Sequence, residues 1–528
     1  MDKDLVIGLD SSTSATKAIA WTRDGLPMAE GRSPIPLSSP AANWYEQNAE
    51  DWWGSACAAL RSLLERVAPG RIAAIGISAQ RETFVPLAAD GSAVRPAIVW
   101  LDQRCRGEVS WLSAQVGRGR IHEISGKPVD LAPVAYRMVW MLHREPEAYR
   151  RTAIFTDVHG YLAWRLTGHF RTSWASADPL GLFDMRAKDW SGEILKALEV
   201  QPAQLPVAMA PGRVIGAVNE SAAARTMVPV GTPVVAGGGD GQAAGLGVNA
   251  LTPGRAYLNL GTAVVAGVHS TEYRIGQAWR TMGSCSGDGY YLETSLRSGA
   301  FLIDWFLDNC AGGAARSETR AQLESEAASL PVGSGGVLAV PYWGAVMTPY
   351  WDPDARGCLV GLTGAHRTAH LYRALLEGVA LEQAMVMAMI EQDAGIQVRE
   401  FVAMGGGAES DLWCRIMADT CGRPIQRSRT VEASSLGAAM CAAAGAGWFP
   451  SVAIAAGAMA GEIARETEPC ADRQARYAEL LGIYRDIYPQ LRQTYCAFRR
   501  RRTPFRREAE QDSGPVPNTS RSVATLAF

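Results

Sequence analysis

Two aspartates end apolar runs and are followed at once by small, turn-forming residues. In Val234-Val235-Ala236-Gly237-Gly238-Gly239-Asp240-Gly241-Gln242 a β-type run stops at glycines and delivers one carboxylate. Glycine is expected where backbone must approach another group closely, and a carboxylate presented there suits a general base acting on a hydroxyl. Asp240 is equally the residue type that caps a helix, and an Ala/Gly-rich stretch follows it. Near the N-terminus, Leu5 to Leu9 leads into Asp10 and the turn Ser11-Ser12-Thr13-Ser14. A carboxylate beside such a turn can hold magnesium directly or through water, while the hydroxyls and backbone N–H groups donate to phosphate oxygens. A purely structural Asx turn is the alternative. A second turn of this kind, Gly261-Thr262, follows Ala256 to Leu260, and two such turns can clamp one triphosphate.

Competing chemistries fall away. Gly239-x-Gly241-x-x-Ala244 fits a loose dinucleotide pattern, but residues 258 to 268 carry no acid where one is needed. No GxxxxGK[ST] run occurs, no CxxC pair occurs among the ten cysteines, and His366 and His370 lack the Glu of an HExxH site. Adjacent Arg81 and Glu82, in Ser78 to Thr83, can donate to and accept from hydroxyl groups, or simply lie on a surface strand.

The elements that must position these groups read as α/β. Leu5 to Leu9 and Lys17 to Trp21 form a predicted hairpin, repeated by 256 to 260 and 263 to 267. A helix is predicted after Asn48, a strand over Ile72 to Ile77, and helices over Thr368 to Gln392 and Asp411 to Cys421. Turn composition at Thr252-Pro253-Gly254 divides the chain into residues 1–252 and 253–498, with a disordered tail over 499–528. The 528 residues, 48% hydrophobic and 20% charged with a net charge of −2, exclude a disordered, fibrous or strongly nucleic-acid-binding chain. The six arginines between 499 and 507 are read as a solvated run rather than a nucleic-acid or lipid contact. Sparse cysteine and a start with no signal-like apolar run point to a cytoplasmic protein. The uncharged stretch between Glu432 and Glu462 is long enough to span a membrane, but its Ala, Gly and Ser content and Pro450 predict close helix packing in a core. The tryptophans at 44, 52 and 53 are assigned to the core rather than to stacking on a ligand.

Gly357-Cys358-Leu359-Val360-Gly361-Leu362, seven residues, then His370 to Glu377 resembles the signature of the FGGY carbohydrate kinases. The resemblance extends through Trp44 to Gln47, Trp52-Trp53, Pro96 to Trp100, Gly237 to Asp240, Pro341-Tyr342, Thr348-Pro349, Asp352 to Gly357 and Met404 to Ala408, and covers roughly residues 5 to 495. It implies two ribonuclease-H-like domains of the actin, hexokinase and sugar-kinase type, closing on a cleft with a hinge near residue 250. By the same resemblance, Asp240 is the catalytic base and Asp10, with Asp240, holds Mg²⁺. Thr13, Ser14, Lys17, Gly261 and Thr262 meet the phosphates of ATP, and Gly405, Gly406 and Ser410 meet its adenosine. Arg81 and Glu82 match the pair that holds polyol hydroxyls in glycerol kinases. Trp100-Leu101-Asp102-Gln103-Arg104 resembles the xylulokinase Trp-Asn-Asp-x-Arg and adds Asp102 to the substrate side. Two departures stand in the first turn, where Ser12 replaces a glycine and Ala15 lacks a hydroxyl. The implied reaction is ATP-dependent phosphorylation of a primary hydroxyl, with a ketopentose such as xylulose as leading substrate. A glycerol or sugar-alcohol kinase is one alternative, and a non-catalytic ATP-binding protein of the actin-like superfamily another. The expected partners are the small sugar or polyol and a second copy in a homodimer, with no nucleic acid and no membrane.

Overall fold

The structure, a computed structural model, describes residues 3–311 and 316–512. Its frame is a pair of similar sheets. The apolar run at the N-terminus forms β1 (Leu5–Ser11), which turns through Ser12 to Ser14 into β2 (Ala15–Trp21) and then β3 (Pro27–Pro34). Beyond these lie β4 (Ile72–Ala79), β5 (Val214–Ala217) and β6 (Pro233–Gly239), in the order β5-β6-β4-β1-β2-β3. The β1–β2 hairpin is antiparallel, whereas β4 runs parallel to both β1 and β6. The second sheet repeats this plan. It contains β7 (Arg255–Leu260), β8 (Val264–Ser270), β9 (Arg280–Gly283), β10 (Tyr290–Leu296), β11 (Glu400–Met404), β12 (Ile425–Arg427) and β13 (Arg465–Thr467), ordered β9-β10-β8-β7-β11-β12-β13. Again a hairpin, β7–β8, leads, and two parallel strands, β11 and β12, extend it. Strands buried on both faces, such as β1 and β4, are continuous apolar runs because helices cover each side.

The helices form where sequence periodicity and caps place them. In α1 (Ala49–Leu64) Asn48 accepts from the Glu50 N–H, and the apolar face buries Trp52, Trp53, Leu60 and Leu63. Trp44 packs edge-on against Trp140, so all three tryptophans serve packing. In the second domain α3 is reached after α2 (Asp240–Gly247) and spans Thr368–Ala394, with α4 (Asp411–Cys421) beside it. The membrane-length uncharged stretch becomes α5 (Ala433–Gly445) and a short helix, Val452–Met459. Among the described residues no helix is long and apolar enough to cross a membrane.

Helix α5 crosses back onto the first sheet, although it belongs to the second half of the chain. Its small residues permit backbone-to-backbone approach: a Cβ on Gly8 would stand 1.9 Å from Ser435 O, and one on Gly437 1.9 Å from Ala243 O. Ser435 Oγ donates to Gly8 O and accepts from Trp21 Nε1. Gly437→Val is therefore expected to force α5 off α2, lowering stability by about 3 kcal/mol or more. Thermal unfolding of the variant checks this, and an unchanged midpoint would contradict the close packing of α5 on α2.

The last helix, α6 (Ala471–Asp512), is stitched down by four tyrosine hydroxyls, on Tyr477, Tyr484, Tyr488 and Tyr495, which donate to Glu377, Glu382, Asp352 and the Arg356 carbonyl. Its backbone continues past the break expected at residue 499. The part of the expected disordered tail after Asp512 lies outside the described residues.

Candidate active site

Asp10 is the last residue but one of β1 and Asp240 begins α2 directly after β6, so the two parallel strands flanking β4 bring both aspartates to one edge of the first sheet. Asp10 is nearly enclosed and accepts from Ser78 Oγ at 2.7 Å. Burial, followed by the negative charges of Asp240 and Glu432, pushes its pKa up to about 6, against the pull of Ser78 and Lys17. Three carboxylates face two cations, Lys17 and Arg81, and Arg81 is shared with Glu293, so the site is short of positive charge. Asp240 keeps 39% of its side chain exposed, and the surrounding protein raises its pKa, countered chiefly by Arg81, whose Nε lies 3.3 Å from Oδ1. The carboxylate is further aimed by the Gly241 N–H at 2.8 Å.

The glycines before Asp240 make room for the protein's own groups. A Cβ on Gly237 would meet Ile77 O at 2.0 Å, and on Gly238 it would meet Cys285 Sγ at 2.4 Å. A Cβ on Gly239 would meet Arg81 Cγ at 2.5 Å, and Gly241 lies under the Arg81 guanidinium. Close approach is real here, and the groups that use it are the Ile77 carbonyl, Cys285 and Arg81.

Arg81 and Glu82 are both buried, against the surface-strand alternative. Arg81 Nη1 donates to Glu293 at 2.9 and 3.0 Å and to Gln242 Oε1 at 3.3 Å. Glu82 sits in the left-handed region at φ 49°, its carbonyl accepts from Arg137 Nη1 at 2.7 Å, and its Oε1 accepts from Arg280 Nη1 at 2.6 Å.

The first turn is arranged around Gln80. Thr13 Oγ1 donates to Gln80 Oε1 at 3.1 Å and accepts from Trp100 Nε1 at 2.8 Å, while Ser14 is exposed. The unusual Ser12 closes the turn on the Ala15 carbonyl through its own N–H and hydroxyl. Lys17 pairs with Glu432 at 2.5 Å. On the other domain, the Gly261-Thr262 turn and the Gly405 loop meet: Gly405 has φ 81°, and a Cβ there would strike Asn259 Oδ1 at 2.5 Å and approach Gly261 N at 3.2 Å. Gly406 is open to solvent, whereas Ser410 Oγ is used as the cap of α4, accepting from Trp413 N.

Asp102 is not presented with the others. Its carboxylate is enclosed and taken up by Arg104 Nε and Nη2, by the Arg104 N–H and by the Tyr45 N–H, which holds the 100–104 turn together. His366 and His370 bond their rings to backbone groups of Gly335 and Arg367, in keeping with a structural role. Among the described residues no three His, Cys, Asp or Glu side chains form a ready metal cage.

Several residues of this site escaped sequence reading: Ser78, Gln242, Arg280, Glu293 and Glu432. Arg280 and Glu293 left a usable signal, since each is the one charged residue in a β-type segment of uncharged neighbours, β9 (Arg280–Gly283) and β10 (Tyr290–Leu296). Glu432 carried none, because it is one acid at the edge of a helix.

Comparison with known proteins agrees with this architecture. The N-terminal domain of the FGGY family of carbohydrate kinases matches residues 5–247, and its C-terminal domain matches residues 256–446. A xylulose kinase from Bacillus subtilis is 29% identical over 92% of this chain and 96% of its own length. A glycerol kinase from Dechloromonas aromatica is 32% identical over 84% and 89%. The crystal structure of xylulose kinase from Rhodospirillum rubrum superposes with a TM-score of 0.86 at 28% identity, covering 93% of this chain and 99% of that one. With the paired sheets, the two strand-end aspartates and both family domains in place, the chain belongs to the FGGY family of carbohydrate kinases and is an ATP-dependent sugar kinase.

Proposed function

We propose that this kinase phosphorylates a primary hydroxyl of a small ketose, a ketopentose such as xylulose, with Asp240 as general base. The observation that carries the reading is the Asp240 carboxylate, open to solvent and held beside Arg81 at 3.3 Å. Asp240 accepts the proton of the attacking hydroxyl at Oδ1 or Oδ2, and its raised pKa makes it a stronger base than an ordinary aspartate. Arg81 keeps the carboxylate ionised and, with Glu82, addresses the neighbouring hydroxyls. Thr13, Ser14, Lys17, Gly261 and Thr262 serve the phosphates, and Gly405, Gly406 and Ser410 line the adenosine side, Ser410 through its backbone. Asp102 shapes the Trp100 turn beside the acceptor.

The charge deficit around Asp10, Asp240 and Glu432 fits a divalent cation, which Asp10 would hold with Asp240. When bound, Mg²⁺ supplies charge neutralisation at the transferring phosphate. Residues 1–252 then carry the acceptor side and 253–498 the nucleotide side, and closure about a hinge near residue 250 excludes water from the transfer. The ten unbridged cysteines suit a cytoplasmic enzyme, and a homodimer is the proposed assembly.

The Arg81–Glu82 pair favours a second reading, a glycerol or sugar-alcohol kinase. Coupled ADP release across xylulose, ribulose, glycerol, erythritol and hexitols, ranked by kcat/KM, separates the two. The proposal expects a ketopentose to lead, and a polyol in first place would replace it with the second reading. For the leading acceptor, Arg81→Ala is expected to cost about 10²-fold in kcat/KM with the KM for ATP nearly unchanged, an amount typical of losing a charged contact in a buried polar site.

A further inference from the structure

The buried environment of Arg81 and Glu82 is built by the other domain. Arg280 on β9 and Glu293 on β10 are directly opposite each other in the antiparallel register. Arg280 donates to Glu293 through Nε at 2.7 Å and to Glu82 through Nη1 at 2.6 Å, while Glu293 accepts from Arg81. The four charges thus alternate along a run, Arg81 to Glu293 to Arg280 to Glu82, that is closed into a ring by the peptide link between residues 81 and 82, with side-chain exposures between 0 and 8%. Tyr257 adds a hydroxyl donor to Glu293 at 2.6 Å. The guanidiniums on either side hold Glu293 ionised, down to about 2, against the cost of burial.

Strand β9 is fixed to the first domain beside this ring. The Thr281 N–H donates to Gly126 O, Gly283 N donates to Asp178 Oδ2 at 2.6 Å, and Lys127 bridges Asp178 and the Thr281 carbonyl. Gln242, two residues after the base, donates to the same Asp178. Arg280 is therefore presented to Glu82 from a docked strand.

We propose that Arg280 and Glu293 are positioning residues for acceptor recognition. They act through Arg81 and Glu82 and set the orientation of the hydroxyl-reading pair relative to Asp240. The ring occupies Glu82 Oε1 and Arg81 Nη1, and among the described residues Glu82 Oε2 accepts no hydrogen bond, so one acceptor remains for a substrate hydroxyl. Glu82 is held at both ends, its strained backbone by Arg137 at the carbonyl and its carboxylate by Arg280. This inference rests on the proposed function, since it needs an acceptor to be read.

Arg280→Lys keeps the charge but cannot fork to Glu82 and Glu293 together. With the leading acceptor of the panel, it is expected to raise the acceptor KM at least ten-fold, leaving kcat within about three-fold and the KM for ATP within two-fold. Arg280→Met with Glu293→Gln removes one charge of each sign, so the ring stays balanced, and should show the same selective rise. A folded variant of either kind with wild-type acceptor KM would overturn the inference while leaving the kinase reading intact. Equal losses for acceptor and ATP would mark a general structural role and overturn it too. A wild-type enzyme that turns over no panel member would overturn the functional reading and this inference with it.

Discussion

Asp240→Asn is expected to lower kcat by 10²- to 10⁴-fold, the range a positioned base contributes, while the affinity for ATP measured without Mg²⁺ stays within about three-fold. The asparagine keeps the size and accepts the Gly241 N–H, so the start of α2 is preserved. What it loses is the ability to take a proton at the cleft face and the charge that faces Arg81 at 3.3 Å. The proposed nucleotide contacts, on the turns around Thr13, Gly261 and Gly405, do not include that carboxylate. Steady-state rates with the leading acceptor, together with calorimetric titration of nucleotide, separate the two effects. A variant with near-normal turnover would transfer the base assignment elsewhere.

Asp10→Asn is expected to stabilise the free enzyme while disabling it. An aspartate held at about 6 binds its proton more tightly folded than unfolded, so its contribution to stability is most favourable at low pH and is lost as pH rises from about 4 to about 6. Holding the carboxyl at about 6 in place of its ordinary aspartate value corresponds to a cost of about 3 kcal/mol at neutral pH. Removing the charge relieves that cost, so the variant's Tm should exceed the wild type's by several degrees at pH 7.5 and converge with it near pH 4. Added Mg-ATP should raise the wild-type Tm and narrow the gap, since binding stabilises the folded state. Activity should fall together with the Mg²⁺ response. Unfolding curves from pH 4 to 8 test the sign, and a variant less stable than wild type at pH 7.5 would contradict the charge deficit at this site.

The local elements were legible because hydrophobic period and turn chemistry are local. Both hairpins, α1 with its Asn48 cap and α4 over Asp411 to Cys421 follow from their own residues. The parallel β1–β4–β6 core and its copy in the second sheet came through the family resemblance, because parallel pairing links strands far apart in sequence. The long-range consequences of small residues were only half visible. Ala433 to Gly445 read as a close-packing helix, but nothing in that segment says that it crosses to β1 and β4 of the first sheet. The site followed the same rule. Asp10 and Asp240 stood out because strands end on them, whereas Arg280 and Glu293 acquire meaning only when two strands of one domain deliver them to a loop of the other. Asp102 shows the converse, a motif residue whose oxygens the fold has already spent on Arg104 and Tyr45.

The central claim is transfer of phosphate to an acceptor hydroxyl rather than to water. Its most direct test is the stoichiometry of phosphorylated acceptor formed to ADP released, followed by ³¹P resonance with Mg-ATP and the leading sugar, beside a blank without sugar. The account predicts one phosphorylated acceptor per ADP and a blank rate at least 10²-fold lower, as expected where water is kept from the reacting phosphate. ADP release that proceeds equally without sugar, or with no phosphorylated product, would contradict it.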